Sequence, residues 1–188
     1  MRPLLVTAGA TRNPIDAIRY LSAASSGRTG VELACAQGAG STTLLGSPEA
    51  LWRIAGEPSA RGIDSEPYGS TRDLMARMQA WCSKNPTGVV VHAAAVGDYE
   101  APAEDGKIPS GLDELVLRLR PAPKILDAVR GWSAGLSIIS FKAAPPGTSP
   151  ERLSVIAHAQ RTRTDSEIVF ANAIGNLSRD VLLATGSG

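Results

Sequence analysis

The sequence predicts a three-layer α/β fold, Rossmann-like, with a mostly parallel central sheet. Short apolar runs of strand length alternate with segments of helix length along the 188 residues, and this alternation is typical of strand–helix–strand units that cover a parallel sheet on both faces. The run at 88–96 is almost continuously apolar, as expected of a strand buried on both faces. The length suits one domain, so residues 1–188 are interpreted as a single domain.

Each predicted element has a local signal, beginning with the apolar run at 3–7, which reads as the first strand. The Ser- and Gly-rich segment 25–30 leads into a helix over 31–37 that Gly38 ends. Further strands are predicted at 42–45, 88–96, 136–141 and 167–171, and further helices begin near 48, 71, 123 and 149. Strands and helices therefore follow one another from end to end.

Three of the predicted segments have distinctive patterns. The helix that Ser70 or Thr71 caps carries apolar residues at helical spacing and ends near Asn85. The run at 114–120 alternates apolar and polar residues, so one face is expected to be wet and the strand to lie outside the main parallel core. The run at 179–184 could close the sheet as a last, antiparallel strand.

Composition and charge exclude several classes of partner. Lys and Arg number 19 against 18 Asp and Glu, a net charge of +1, so no global field attracts a nucleic acid or an anionic membrane. The aromatic content of 4% argues against a stacking surface for single strands. The first apolar run is too short for a signal peptide, and Cys35 and Cys82 suit free thiols of a cytoplasmic protein.

Ligands of such sheets bind beyond the carboxyl ends of the strands, which selects the loops at 7–11, 25–30, 94–98 and 171–172. The segment 25–30 places hydroxyls, glycines and a cation where a helix start leaves amides unpaired, so it is either a phosphate cradle or a capped helix start whose glycines serve the turn. No dinucleotide fingerprint GxGxxG is present and no acidic residue ends the second strand, which disfavours a reductase that uses NADPH.

Four other polar residues are interpreted as structural. His92, in an apolar strand, is expected to be a hydrogen-bonded imidazole in the core, and His158 to lie on a helix surface. Arg161 and Arg163 are typical of a solvated helix end, where cations favour the negative end of the helix dipole.

Eight short motifs follow one another over about residues 6–184. They are 6–11 (VTAGAT), 14–16 (PID), 19–22 (RYLS), 25–28 (SSGR), 93–99 (AAAVGDY), 107–108 (KI), 140–142 (SFK) and 170–172 (FAN). In this order they resemble phosphopantothenate-cysteine ligase, also called phosphopantothenoylcysteine synthetase. The resemblance implies activation of the carboxylate of 4'-phosphopantothenate by CTP or ATP with Mg²⁺, followed by amide formation with cysteine, in coenzyme A biosynthesis.

The resemblance also implies roles for particular residues and for partners. Lys107 and Asp98 match catalytic positions, and the nucleotide positions are Gly9, Ser25, Gly27, Gly30, Phe141 and Asn172. The phosphopantothenate positions are Ala94, Ala95, Asp98 and Arg19, of which Arg19 matches an arginine that reaches across the interface of a homodimer. The resemblance assigns no metal ligand, and the flavin-dependent decarboxylase that many bacterial members carry is expected as a separate polypeptide. Members often carry lysines that hold nucleotide phosphates in the helix of Arg161 and Arg163, so the resemblance leaves open that these arginines take their place.

Two departures keep alternatives open. Ala23 stands where the family has an Asn linked with the activated acyl intermediate, and Ala143–Ala144–Pro145 follows Lys142 where the family often has a Glu-Thr pair. The first alternative is therefore an impaired member that binds nucleotide or phosphopantothenate without completing ligation. The second is an NADPH-dependent reductase on a similar sheet.

Overall fold

A seven-stranded sheet forms the centre of the molecule in a computed structural model, which describes residues 2–175 and 181–186. The strands of the described residues are β1 (Leu4–Ala8), β2 (Arg12–Pro14), β3 (Tyr20–Ser22), β4 (Thr42–Gly46), β5 (Asp64–Pro67), β6 (Val89–His92), β7 (Tyr99–Glu100), β8 (Arg120–Pro121), β9 (Ser137–Ala144), β10 (Ile168–Ala173) and β11 (Leu182–Thr185). The sheet has the order β11-β10-β9-β6-β1-β4-β5, and all its pairings are parallel except that of β11 with β10. The mostly parallel sheet is therefore confirmed.

Helices cover both faces of the sheet. They are α1 (Arg28–Gln37), α2 (Pro48–Ala55), α3 (Thr71–Lys84), α4 (Ile125–Trp132) and α5 (Pro150–Thr164), with a short 3₁₀ turn at Pro58–Ala60. On one face α1 and α2 pack on β1 and β4, and on the other α3 and α4 pack on the reverse side of β1 and β6, with α5 beside α4. The three-layer α/β prediction is thereby confirmed.

Serine hydroxyls begin three of the helices. The side chains of Ser47, Ser70 and Ser149 accept the N–H of the third residue beyond each, which fixes the starts of α2, α3 and α5.

Of the two free cysteines, Cys82 is buried in the α3 core, and this burial raises the pKa of its thiol to about 11. The role of Cys82 is therefore structural.

The alternation at 114–120 does not form the predicted strand. Only Arg120–Pro121 pairs, with Tyr99–Glu100, and Leu115, Leu117 and Leu119 are all exposed. An alternating pattern needs a covered sheet face on which to bury its apolar residues, and no such face lies behind this segment in the described residues. The strand prediction was wrong because periodicity alone does not supply that face, whereas the expectation that the segment lies outside the main parallel core is confirmed.

Other boundaries differ in ways that have physical causes. The strand predicted at 88–96 ends at His92, after which the chain leaves the sheet, and β9 continues past Phe141 to Ala144. The hairpin of β2 and β3 and the edge strand β5 were not predicted, since β5 (Asp64–Pro67) is exposed throughout and pairs through its backbone alone. The antiparallel last strand is confirmed at Leu182–Thr185, and residues 179–180 of that prediction lie outside the described residues.

Candidate active site

A cleft of about 510 Å³ lies at the carboxyl ends of β6, β9 and β10. The strand order reverses between β6 and β1, because the chain runs from β1 to β4 on one side and from β6 to β9 on the other. Such a switch point leaves a crevice between the diverging loops. The lining comes from 24–25 and Thr29 at the start of α1, 92–98 after β6, 123–127 at the start of α4, 141–143 of β9, Gln160 and Arg163 of α5, and Asn172 of β10.

Backbone hydrogen bonds join the loop after β1 to the loop after β6. The N–H of Ala95 donates to the carbonyl of Gly9 (2.8 Å), and the N–H of Thr11 donates to the carbonyl of Ala95 (3.1 Å). The Thr7 hydroxyl accepts the N–H of Ala94 at 3.1 Å. These hydrogen bonds of Thr7 and Thr11 hold Ala94 and Ala95 at the cleft wall.

His92 forms part of the cleft floor and is buried. Its Nδ1 lies 2.9 Å from the Thr7 hydroxyl, which confirms the expected hydrogen-bonded core imidazole. Burial lowers the pKa of His92 to about 4. The imidazole is therefore neutral at pH 7. His158 is exposed on α5, as predicted.

We expect the free energy of unfolding to fall as the pH drops below 6.5. The folded-state pKa of about 4 lies below the ordinary value of 6.5, so the stabilisation is fully present above pH 6.5 and is lost as the pH falls toward 4. By pH 5 the loss amounts to about 2 kcal/mol. Urea unfolding at pH 7 and pH 5 measures it for the unaltered chain, His92→Asn and the control His158→Gln. A loss at pH 5 that His92→Asn leaves undiminished would contradict the assignment.

The cleft lining is rich in charge. Lys124 pairs with Asp98, and Arg163 of α5 pairs with Asp127 of α4. Lys142 of β9 is the third cation of the lining. The starts of α1 and α4 also face the cleft, and neither is capped by a side chain, so their unpaired amides add partial positive charge. The arrangement favours an anionic ligand.

The structure brings together six of the residues that the resemblance singles out. These are Ser25, Ala94, Ala95, Asp98, Phe141 and Asn172, all in the cleft lining. Phe141 stacks on Phe170 of β10, with ring centroids 5.1 Å apart and planes 13° from parallel, so its ring orientation is fixed. Lys124 and Lys142 were not predicted as site residues. Lys142 directly follows the strand predicted at 136–141, and Lys124 lies at the start of the helix predicted from 123, and these positions at one edge of the sheet are the signal that could have found them.

The glycines of the resemblance lie behind the cleft wall instead of in the lining. A Cβ on Gly27, whose φ is +73°, would come 2.6 Å from the Cβ of Ala50. A Cβ on Gly30 would come 2.6 Å from the Cβ of Ala8. These contacts let α1 approach β1 and α2 closely. The serines of this segment do not cap α1 through their side chains; Gly27 occupies the N-cap.

Arg19 and Lys107 lie outside the cleft lining and are tied to one another through Asp16. The buried Asp16 carboxylate accepts the N–H groups of Ile18 (2.9 Å), Arg19 (2.7 Å) and Ile108 (3.0 Å), and it pairs with the Arg19 guanidinium. Burial by itself raises the pKa of Asp16, but these N–H donors and the Arg19 charge outweigh it and hold the pKa below its usual value. The exposed Lys107 is therefore anchored through its neighbour Ile108.

Asp16→Asn should loosen this connection without moving the cleft. An amide cannot reproduce the charge that pairs with Arg19, so we expect hydrogen exchange at the N–H groups of Ile18, Arg19 and Ile108 to accelerate roughly tenfold or more. Exchange followed by NMR or mass spectrometry measures this, and Asp105→Asn, an exposed carboxylate of the same loop, is the matched control. Unchanged exchange at Ile108 in Asp16→Asn would show that the carboxylate does not anchor the loop.

Within residues 2–175 and 181–186, no group of three or more His, Cys, Asp or Glu side chains is placed to hold a metal ion. No helix in that part of the chain is both long and apolar enough to cross a membrane.

Comparison with known proteins places the fold and the sequence in one family. Residues 1–182 match the family described as DNA/pantothenate metabolism flavoprotein C-terminal domain. The chain is 35% identical over 184 residues to the coenzyme A biosynthesis bifunctional protein CoaBC of Thermococcus kodakarensis, covering 96% of this chain and 44% of that protein. The chain thus spans less than half the length of the curated relatives that align along most of it.

Solved structures show the same fold. The DNA/pantothenate metabolism flavoprotein from Streptococcus pneumoniae superimposes with a TM-score of 0.84 at 22% identity, covering 100% of this chain and 90% of that one. A Cab2 variant in complex with phosphopantothenate-cysteine superimposes with a TM-score of 0.76 at 18% identity, covering 98% of this chain and 76% of that one. At these identities the likeness establishes the architecture.

Proposed function

This chain belongs to the DNA/pantothenate metabolism flavoprotein C-terminal domain family, and on that premise we propose that it is a phosphopantothenate-cysteine ligase. It would join 4'-phosphopantothenate to cysteine through an acyl-nucleotide intermediate in coenzyme A biosynthesis, in the cytoplasm, where its two free cysteines stay reduced. The observation that carries the proposal is the convergence of Ser25, Asp98, Phe141 and Asn172 on one charged cleft.

The chemistry explains why such a cleft needs positive charge. A carboxylate oxygen of phosphopantothenate attacks the α-phosphorus of CTP or ATP, the bond to the β-phosphate oxygen breaks, and pyrophosphate leaves. The cysteine amine then attacks the acyl carbon, an amide forms and the nucleoside monophosphate leaves. The first step brings two anions together, so cations and backbone amides must offset their repulsion. The starts of α1 and α4 supply amides, and Lys124, Lys142 and Arg163 supply cations.

The proposed binding places follow from the cleft walls. The flat face of Phe141, fixed by Phe170, suits a nucleobase, with Asn172 beside it. Ala94 and Ala95 offer a small, backbone-lined wall for phosphopantothenate, and Asp98 provides a carboxylate acceptor that Lys124 orients. Gly30 supports the nucleotide side by allowing α1 to lie close to β1, and Gly9 and Gly27 do so by allowing close contact with the start of α2.

Arg19 and Lys107 act from outside the cleft in this proposal. Arg19 reaches the phosphopantothenate of a neighbouring subunit in a homodimer, which agrees with its position away from the lining of its own cleft. Lys107 is the cation that meets the reacting phosphate, and the loop over 97–111 carries it. Asp16 positions both residues, since its carboxylate binds the backbone on each side of that connection.

The donor set fits Mg²⁺ bound together with the nucleotide. Mg²⁺ in nucleotide enzymes commonly takes one or two carboxylates and completes its shell with phosphate oxygens and water. Asp98 and Asp127 are carboxylates of the cleft lining. Bound there, Mg²⁺ would neutralise charge on the phosphate oxygens.

Pyrophosphate release tests the proposal. The protein is incubated with phosphopantothenate, cysteine, Mg²⁺ and either CTP or ATP, and both pyrophosphate and the amide product are followed. Asp98→Asn is expected to abolish turnover, whereas Asp105→Asn, outside the cleft, is expected to retain it. Failure to release pyrophosphate with either nucleotide would reject the activation step.

Ala23 and Ala144 favour one second candidate, a member that binds its ligands but does not complete ligation. Calorimetric binding of CTP, ATP or phosphopantothenate without turnover would support it. Titration with NADPH separates the reductase alternative, for which we expect no binding because the loop after β1 lacks the fingerprint.

A further inference from the structure

Lys142 is the cation of the cleft for which the structure offers no acidic partner among the described residues. It lies near the carboxyl end of β9, directly after Phe141, and pairs in register with Ala171 of β10. Its side chain is half-buried and contributes to the cleft lining. It is the last residue of the SFK motif at 140–142.

The other two cations of the lining are held by carboxylates. Lys124 pairs with Asp98, and Arg163 pairs with Asp127. Each pair is close to neutral, so the surplus positive charge of the described lining resides on Lys142. A half-buried ammonium has lost part of its hydration, and a nearby anion offsets that loss.

We propose, resting on the proposed ligase function, that Lys142 binds the β- and γ-phosphates of the nucleotide. Side chains alternate along a strand, so Lys142 and its register partner Ala171 lie on the face of the sheet that α5 covers, opposite to Phe141. A base stacked on Phe141 is therefore separated from Lys142 by the edge of the sheet, and the distal phosphates are the part of the nucleotide that extends past that edge. Ala94 and Ala95, the proposed wall for phosphopantothenate, lie on the loop after β6.

Lys142→Gln separates the roles of the base and the phosphates. We expect the Kd for the triphosphate, measured calorimetrically with CTP and ATP, to rise about tenfold in Lys142→Gln, because one charge-assisted contact is lost. The Kd for the corresponding monophosphate should change less than about twofold. Lys142→Arg should restore most of the triphosphate affinity, and Lys84→Gln, an exposed lysine of α3, is the matched control.

Steady-state kinetics provide a second readout. The KM for the nucleotide should rise in Lys142→Gln while the KM for phosphopantothenate stays unchanged. The thermal midpoint should not fall, because Lys142 has no ion pair to lose among the described residues. Equal triphosphate affinity in the unaltered chain and Lys142→Gln would overturn this inference alone. Equal losses for mono- and triphosphate would also overturn it. If the unaltered chain bound neither CTP nor ATP, both the proposed ligase function and the inference about Lys142 would be overturned.

Discussion

Replacing Gly9 with alanine is expected to destabilise the fold by more than about 4 kcal/mol. A Cβ at Gly9 would lie 2.0 Å from the Ser47 hydroxyl oxygen and 2.6 Å from the Ser47 Cβ. Ser47 cannot retreat cheaply, since its N–H donates to the Ala8 carbonyl at 2.9 Å and its hydroxyl begins α2. The φ of +92° at Gly9 adds backbone strain for any residue with a side chain.

Gly38→Ala provides a control for the strain. Gly38 also has a positive φ, +76°, but among the described residues no atom lies within 4 Å of its added Cβ. Its ψ of −172° places it in a region that only glycine adopts readily, and we expect the substitution to cost about 1–3 kcal/mol, the penalty of the backbone conformation alone. Urea unfolding measures the loss of unfolding free energy in both variants, and the difference between the two losses is the destabilisation due to the clash with Ser47. Equal costs for the two substitutions would show that Ser47 yields easily and that the packing argument is wrong.

The same comparison distinguishes two reasons for a glycine at position 9. If the glycine only allowed a ligand to approach the backbone, Gly9→Ala would lose no more stability than the backbone strain costs, as in Gly38→Ala, and would lose nucleotide affinity. If it serves the contact between the loop after β1 and the start of α2, as the distances indicate, stability falls first. Nucleotide affinity is then measured on whatever fraction of the variant remains folded.

The sequence predicted the buried sheet well because its strands carry their own signal. Leu5 and Val6 of β1 are completely buried on opposite faces, and a strand covered on both sides is apolar at most of its positions. The edge strand β5 offers no such signal, since all of its residues are exposed and only its backbone pairs. The alternating pattern at 114–120 wrongly predicted a strand, because no sheet face covers its leucines among the described residues.

The site residues that could be predicted are likewise those that belong to elements with a local sequence signal. Ser25, Asp98, Phe141 and Asn172 follow or begin elements at one edge of the sheet, so the topology alone brings them together. Lys107 depends instead on a long loop whose path is set by the Asp16 carboxylate, and that anchor involves a separation of 92 residues in sequence. A contact of this kind leaves no local pattern to detect.

Ala23→Asn is expected to accelerate amide formation by about 100-fold in the proposed ligase. Ala23 is exposed beside Ala24 and Ser25, which line the cleft, and the Ser22 hydroxyl bonds the Thr11 carbonyl at 2.8 Å, so the backbone there is held. An asparagine side chain at position 23 therefore has room, and the backbone that carries it is held in place. Its amide can donate to the oxygen that becomes negative when the cysteine amine attacks, a contact worth about 3 kcal/mol in comparable sites.

The expected gain is confined to the second half of the reaction. Pyrophosphate release should change less than about twofold, because the added amide does not meet the α-phosphate, so the ratio of amide product to pyrophosphate rises. Single-turnover experiments that quench and quantify both products measure that ratio, with Ala39→Asn, an exposed alanine after α1, as control. An unchanged ratio would mean that other groups in the cleft already stabilise the acyl transfer, and that alanine at position 23 does not limit ligation.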